Sequence, residues 1–307
     1  MKLRIPTLAT LLTSTALLSG CFSGDDSPTA AGDEMITAEE QAAIEFVMEE
    51  DETNSELTMI DVRSFDSGSG VARAPINTHR WFREPQSVDR NLEIIINAPS
   101  GEPATATVNA SGTVIGLLHL WTCSADSLLE VTKDFEDDGK RSLMFVKSRR
   151  TDRLHRGWKL VSLSGVHLES PAATVAINSV RVQSGDVDQT LTNVTDLVAV
   201  EDLMRFERGA EVTLTVDTGD ATDAVFLHVR RQHRTQFTSN DDGTFSATFF
   251  ANDRPGARHF AVDVLSDGTL YDDTEAYDNV TWGIPYIVER LPNDGGDDEG
   301  GEDSDLS

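Results

Sequence analysis

Two hydrophobic rhythms divide this chain. Between residues 38 and 50, Ala43, Ile44, Val47 and Met48 recur three and four apart, along one stripe of an amphipathic helix. Thr37-Ala38-Glu39-Glu40 heads that segment as a capping box, a hydroxyl N-cap with a carboxylate three residues on. The acidic run "EEDETNSE" ends it, and a short apolar segment at 57–62 and a Gly/Ser loop at 64–70 follow. From residue 90 the rhythm changes to two. Leu92, Ile94 and Ile96 share one face of a strand over 90–98. Segments 104–110 and 112–122, parted by Ser111-Gly112, read as a hairpin, and 142–148 with 158–168 read as a second, joined by "RRTDRLHR". Further strands are predicted at 175–182, 211–217, 224–230, 244–250, 259–265 and 282–288. Asn240-Asp241-Asp242-Gly243 and Asp267-Gly268 supply tight-turn chemistry between them.

One helix followed by a β-meander implies an α+β unit whose sheet curls over the helix. The stretch 37–170 resembles the cystatin-like roll of nuclear transport factor 2-like domains, in element order and in the closing strand "GWKLVSLS" after a charged turn. The additional N-terminal helices of that family are not evident in this sequence. The short alternating strands of 171–292 resemble an immunoglobulin-like β-sandwich, without the Cys…Trp…Cys pin of antibody domains. The expected fold is therefore α+β plus all-β: one helix with a curled antiparallel β-meander over 37–170, then an immunoglobulin-like β-sandwich over 171–292. Residues 171–174 mark the boundary. The last segment, 293–307 ("NDGGDDEGGEDSDLS"), has seven acids and no base, the composition of a disordered tail.

The first twenty residues have a different character. Lys2 and Arg4 precede an apolar run over 5–18, shorter than the roughly 20 residues a spanning helix needs. This is the layout of a secretory signal peptide over 1–20. Its end, Leu18-Ser19-Gly20-Cys21, resembles the bacterial lipobox. That resemblance implies a lipoprotein: the Cys21 thiol receives a diacylglyceryl group, the peptide is cut before it, and the new amino terminus is acylated, with palmitate for example. Two or more acyl chains anchor a protein stably where one does so marginally. The alternative is an ordinary signal peptide cut nearby, leaving Cys21 free. Residues 21–36 then form a lipidated tether whose flexible part reaches roughly 20–23 Å. By the enterobacterial sorting rule, Phe22 after the cysteine favours the outer membrane. The expected location is the cell envelope, with the lipid bilayer as a partner through acylated Cys21.

Charge narrows the partners. The formal net charge is −28, and loss of the leader removes two further positive charges. Such a field repels nucleic-acid phosphates, so no nucleic-acid partner is expected. Arginine outnumbers lysine about four to one, a pattern that suits an extracytoplasmic surface. Cys21 and Cys123 are the two cysteines. Cys123 follows the apolar run "GTVIGLLHLWT" and reads as a buried, inert thiol.

Residues with chemistry to offer are few and scattered. The seven histidines form no His-Glu-x-x-His motif, and no Gly-x-Ser-x-Gly elbow occurs. Asp134, Glu136 and Asp138 before Gly139 imitate a calcium loop, but Phe145 stands where the closing glutamate belongs, so the stretch reads as a solvated turn. A denser cluster, Asp267, Asp272, Asp273, Glu275 and Asp278, either takes calcium or forms an acidic loop between strands. A pocket in the first unit would be lined by Arg80, Trp81, Arg83, His119, Trp121 and Trp158, aromatics supplying a wall and an arginine orienting an anion. Residues 140–159 hold eight bases against Asp152 alone. Arg149, Arg150, Arg153 and Arg156 are the centre of that patch, open to lipid headgroups or an anionic glycan unless the chain's own acids pair with it. The expected function is a non-enzymatic envelope lipoprotein acting as a binding or interaction module for an envelope protein or glycan. Beside it stand a small-ligand or hydrolase/isomerase-type pocket in the α+β roll, and calcium-dependent adhesion through the sandwich. Calcium is the one cofactor in view.

Overall fold

The computed structural model describes residues 38–54, 68–69, 78–124, 127–148, 154–230 and 233–289. The leader, Cys21, the tether, the segment at 57–62 and the acidic tail lie outside the described residues. So do Arg149, Arg150 and Arg153, and the side chains of His79 and Cys123.

The helix announced by the capping box forms as α1 (Ala38–Asn54). Ile44 and Met48 are buried, packed with Val108, Leu143, Phe145 and Trp158. Glu40, in the first turn, fastens the helix to the sheet beneath it. Its carboxylate accepts from Lys147 Nζ and from Trp158 Nε1, each at 2.7 Å. Burial alone would raise the Glu40 carboxyl, but these two bonds hold it below its usual value.

After β1 (Gly68–Ser69) come three long antiparallel strands, β2 (Thr78–Asn97), β3 (Thr105–Ser124) and β4 (Ser127–Lys147). At 3.4 Å per residue, the 20 residues of β3 span about 68 Å. The turn expected at Ser111-Gly112 does not form, and β3 passes straight through it. Glycine is needed there for close approach rather than for turning. A Cβ on Gly112 would stand 2.7 Å from the Asp89 carbonyl oxygen, and one on Gly116 would stand 2.1 Å from that of Glu84. The neighbouring β2 shifts register between Pro85 and Ser87, a bulge that increases local twist. Asp134, Glu136 and Asp138, expected in a turn, sit at alternate exposed positions of β4.

The chain continues as β5 (Trp158–Leu163), β6 (Val166–Glu169), β7 (Ser179–Ser184), β8 (Val187–Leu191), β9 (Val198–Ala199) and β10 (Arg205–Phe206). Then follow β11 (Glu211–Asp217), β12 (Ala224–Arg230), β13 (His233–Gln236), β14 (Thr238–Ser239) and β15 (Thr244–Phe250). The last elements are β16 (Gly256–Leu265), the short helix α2 (Asp267–Tyr271) and β17 (Asn279–Val288). The strands predicted at 211–217, 224–230 and 244–250 form with those bounds.

Strand pairing corrects the expected fold class. β4 pairs with β6 and β6 with β17, so a 12-stranded sheet runs β1-β2-β3-β4-β6-β17-β16-β12-β13, with β5, β9 and β10 at its margins. β1 comes beside β13, which closes much of the curl. A 5-stranded sheet runs β14-β15-β11-β7-β8. Neighbours are antiparallel except β10 on β17. The molecule is thus mostly β, in two sheets, and not an α+β roll with a helix under its own meander. The physical reason is that periodicity reveals which residues form strands but not which strands meet. β6 bonds β17, far downstream, where a local meander would have kept it among its sequence neighbours.

Strands β12, β16 and β17 are buried on both faces. Val225, Leu227, Phe260, Val262, Trp282 and Ile284 point one way, into a core shared with Val180, Val212, Leu214 and Phe245 of the smaller sheet. Ala224, Phe226 and Leu265 point the other way, toward Trp81, Leu118 and Phe135 of the long strands. Full burial of such a side chain stabilises by about 1.5–3 kcal/mol. The described residues form one compact unit.

Candidate functional site

Strand alternation separates the residues expected to share a pocket. Trp81 and Arg83 point inward and are fully buried, whereas Arg80, His119 and Trp121 lie on the outer face. Trp158 is elsewhere, bonded to Glu40 beneath α1. On the outer face Phe82 and His119 oppose each other across β2 and β3, their rings 4.5 Å apart and 4° from parallel. Trp121 stacks 5.0 Å from Phe82, and the Arg80 guanidinium lies 5.3 Å over Trp121. His119 is clamped by Glu130 Oε1 at 2.6 Å and Glu84 Oε2 at 2.9 Å. The ring faces are occupied by one another. This is a cross-strand ladder that stiffens a long, solvated pair of strands.

The inward side holds a polar network missed in the sequence. Arg83 donates to both oxygens of Asp263, at 2.8 and 3.1 Å, and from Nη2 to Asn279 Oδ1 at 3.1 Å. Asn279 Nδ2 donates to Asp137 Oδ1 at 3.1 Å, and the Tyr277 hydroxyl donates to Asp137 Oδ2 at 2.9 Å. Asp263 also accepts from Thr281 Oγ1 at 2.8 Å and lies 3.1 Å from His228 Nε2. Arg234 lies 3.6 Å over the Trp81 ring. Burial opposes charge on both members of the central pair. The Arg83 guanidinium nevertheless holds the Asp263 carboxyl well below the usual carboxylate range, and Asp263 keeps Arg83 above its ordinary value. Burial, then Arg234, pushes His228 down to about 4 despite the neighbouring carboxylate. At neutral pH it is an uncharged imidazole. The ion pair is 0% exposed on both side chains, so no solute reaches it in this conformation. Its work is to fix β2 and β4 against β12, β16 and β17. Asp263 had a signal in the sequence: it is the lone charge in "FAVDVL".

The acidic cluster is arranged around an internal cation. Asp267-Gly268, expected as a tight turn, opens α2 instead, with Ser266 Oγ capping the Thr269 amide at 3.1 Å. Lys133 reaches in from β4 and donates to the carbonyls of Gly268, at 2.8 Å, and Asp272. Burial pushes the Lys133 ammonium down to about 8, with Asp272, Asp273 and Glu275 opposing the shift. Asp272 caps its own turn through Thr274, and Asp278 accepts from the Thr174 amide at 3.0 Å. Among the described residues no group of three or more His, Cys, Asp or Glu side chains is disposed to hold a metal ion. Two described members of the basic patch are paired with α1, Arg156 with Glu39 at 2.8 Å and Lys147 with Glu40, while Arg141 donates to the Ser164 carbonyl at 2.8 Å and Lys140 lies 3.8 Å from Glu169.

The chain between β8 and β9 overhangs two concavities. It is seated on Gly165, whose amide donates to the Val194 carbonyl at 2.8 Å. A Cβ at Gly165 would lie 2.3 Å from Val194 Cγ2. Asn193 stiffens the loop, accepting from the Thr195 amide at 3.0 Å and donating to Asp196 at 2.7 Å. One flank covers a small, mostly apolar hollow lined by Leu163, Leu191, Leu203, Met204 and Ile284. The other flank borders an open polar cleft of about 350 Å³ against the outer faces of β2, β3 and β4. Sequence reasoning missed this cleft, because its walls meet only through the register of three strands. No described helix is long and apolar enough to cross a membrane. Comparison with family models, with curated proteins and with solved structures returns no match.

Proposed function

We propose that the protein is a cell-envelope lipoprotein, held to a bacterial membrane by acylated Cys21, whose β body serves as a non-enzymatic binding module. The observation that carries binding over catalysis is the sealing of the Arg83–Asp263–His228 network. A catalytic acid or base must reach the reacting atoms. The ionisable groups of this network are instead closed off and committed to architecture. The anchor is supported by Leu18-Ser19-Gly20-Cys21 at the end of a positively headed apolar leader. We read the five-stranded sheet packed on β12, β16 and β17 as an immunoglobulin-like sandwich. Face-to-face packing of alternate side chains from two sheets supports that reading.

Expression in a bacterial host supplied with labelled palmitate tests the anchor. Wild type is expected to incorporate label and sediment with membranes, whereas Cys21→Ser accumulates unlabelled and unprocessed. Equal processing and membrane retention of the two forms would refute it.

A further inference from the structure

We propose that the polar cleft beside the 192–196 loop binds an acidic saccharide, a sugar unit carrying a carboxylate. Two cross-strand rows build its floor. Asn91, Ser111 and Lys140 are register partners in one row, and Glu93, Asn109 and Ser142 in the next. Strand spacing and rise set these six groups on a grid about 10 by 7 Å. Thr195 overhangs it from the loop.

The two rows differ in how far they are engaged. In the second, Ser142 Oγ donates to Asn109 Oδ1 and Asn109 Nδ2 donates to Glu93 Oε2, both at 3.1 Å. That chain fixes the Glu93 carboxylate and leaves its remaining lone pairs to accept from a ligand. In the first row, Asn91 and Ser111 make no side-chain hydrogen bond among the described residues. Lys140 is exposed and reaches Glu169 only at 3.8 Å, a contact of small energy at a surface. The cleft therefore offers a fixed acceptor, an unengaged amide and hydroxyl, and an ammonium loosely held.

Ligand classes separate on that set. An apolar molecule would find no apolar side chain on the floor, only the stems of polar ones, since Ala110 is buried beneath it. A divalent cation would meet a single carboxylate, Glu93, too few ligands for a hard metal. A bare inorganic anion would engage Lys140 at its corner of the grid and leave Asn91 and the Glu93 carboxylate unmet. A polyhydroxylated ring satisfies Glu93 with hydroxyl donors, engages Asn91 and Ser111 both ways, and places a carboxylate on Lys140. Among the described residues no hydroxyl of the cleft is hydrogen-bonded to a base: Ser142 and Thr195 donate to asparagine oxygens and Ser111 makes no side-chain hydrogen bond, so the outcome is binding rather than cleavage.

The inference rests on the binding-module half of the reading above, not on the lipid anchor. Titration calorimetry of the full-length protein tests it, with oligomers of galacturonate and glucuronate and with N-acetylneuraminate. The methyl-esterified galacturonate oligomer and inorganic phosphate complete the panel. At least one acidic saccharide is expected to bind, about tenfold tighter than its uncharged form. Lys140→Gln is expected to abolish that preference, and Glu93→Ala to weaken charged and esterified forms alike by about tenfold. Thermal melts of both variants, at surface positions, are expected to match wild type. Three results would overturn the proposal: no acidic saccharide binds, phosphate binds as well as the best of them, or both variants titrate like wild type. Cys21→Ser is expected to bind the saccharide unchanged, so failure of the anchor and failure of the cleft are told apart.

Discussion

Replacing Asp263 by Asn puts the buried network to a quantitative test. The substitution keeps the shape and removes the charge, leaving the Arg83 guanidinium fully buried without its counter-ion. Breaking a buried pair from one side costs about 3–5 kcal/mol, because the remaining charge stays desolvated and uncompensated. Thr281 and His228 lose part of their acceptor as well. For a body of this size each kcal/mol shifts Tm by about 2–4 °C. A fall of about 6–20 °C in a circular-dichroism melt is the expected result. The companion variant replaces both partners, Arg83→Met with Asp263→Leu. Removing the pair together takes away both facing charges and leaves Asp137 to its hydrogen bonds from Tyr277 and Asn279, and exchanges of a whole pair are commonly neutral or stabilising by about 1–4 kcal/mol. The double variant is therefore expected to melt above Asp263→Asn. If Asp263→Asn lost less than about 1 kcal/mol, or the double variant proved the weaker of the two, the assignment of a closed, compensated ion pair would be refuted.

His228 predicts an acid-sensitive fold. Its folded pKa of about 4 lies below the unfolded value near 6.5, so between these limits the unfolded chain binds more protons and stability falls as pH drops. The loss by pH 4 is about 3 kcal/mol, and His228→Gln is expected to flatten Tm against pH across that window; an unchanged slope refutes it. Lys133 predicts that a chelator leaves the wild-type melting temperature unchanged, whereas Lys133→Ala, which strips the donor from two carbonyls, lowers it. A drop in wild-type Tm on chelation would restore calcium to the acidic loop.

Local periodicity carried most of the element content. α1 follows from a hydroxyl, a glutamate and four apolar residues at the right intervals, all local in the chain. Strands such as Glu211–Asp217 show a plain alternation because one face is wet. The long strands were harder to read. Gly112 looks like punctuation, yet its missing Cβ makes room for the Asp89 carbonyl on the next strand, a demand set by register. The pocket expected around Arg80, Trp81 and Arg83 suffered the opposite fault. Its residues are adjacent in sequence, and the pleat sends Arg80 and Trp81 to opposite sides of the sheet. The Asp263 signal was present, but its partner lies 180 positions away and no spacing rule connects them. The saccharide cleft combines both difficulties, since Asn91, Ser111 and Lys140 become neighbours only when three strands align.

Strands β12, β16 and β17 form a party wall between two hydrophobic interiors. Neither interior can admit water without stripping one side of that wall, so heat or denaturant should melt them in a single cooperative step. A protease nick at residues 171–174 would therefore leave two pieces still clasped through β6 and β17, co-migrating until the whole body unfolds.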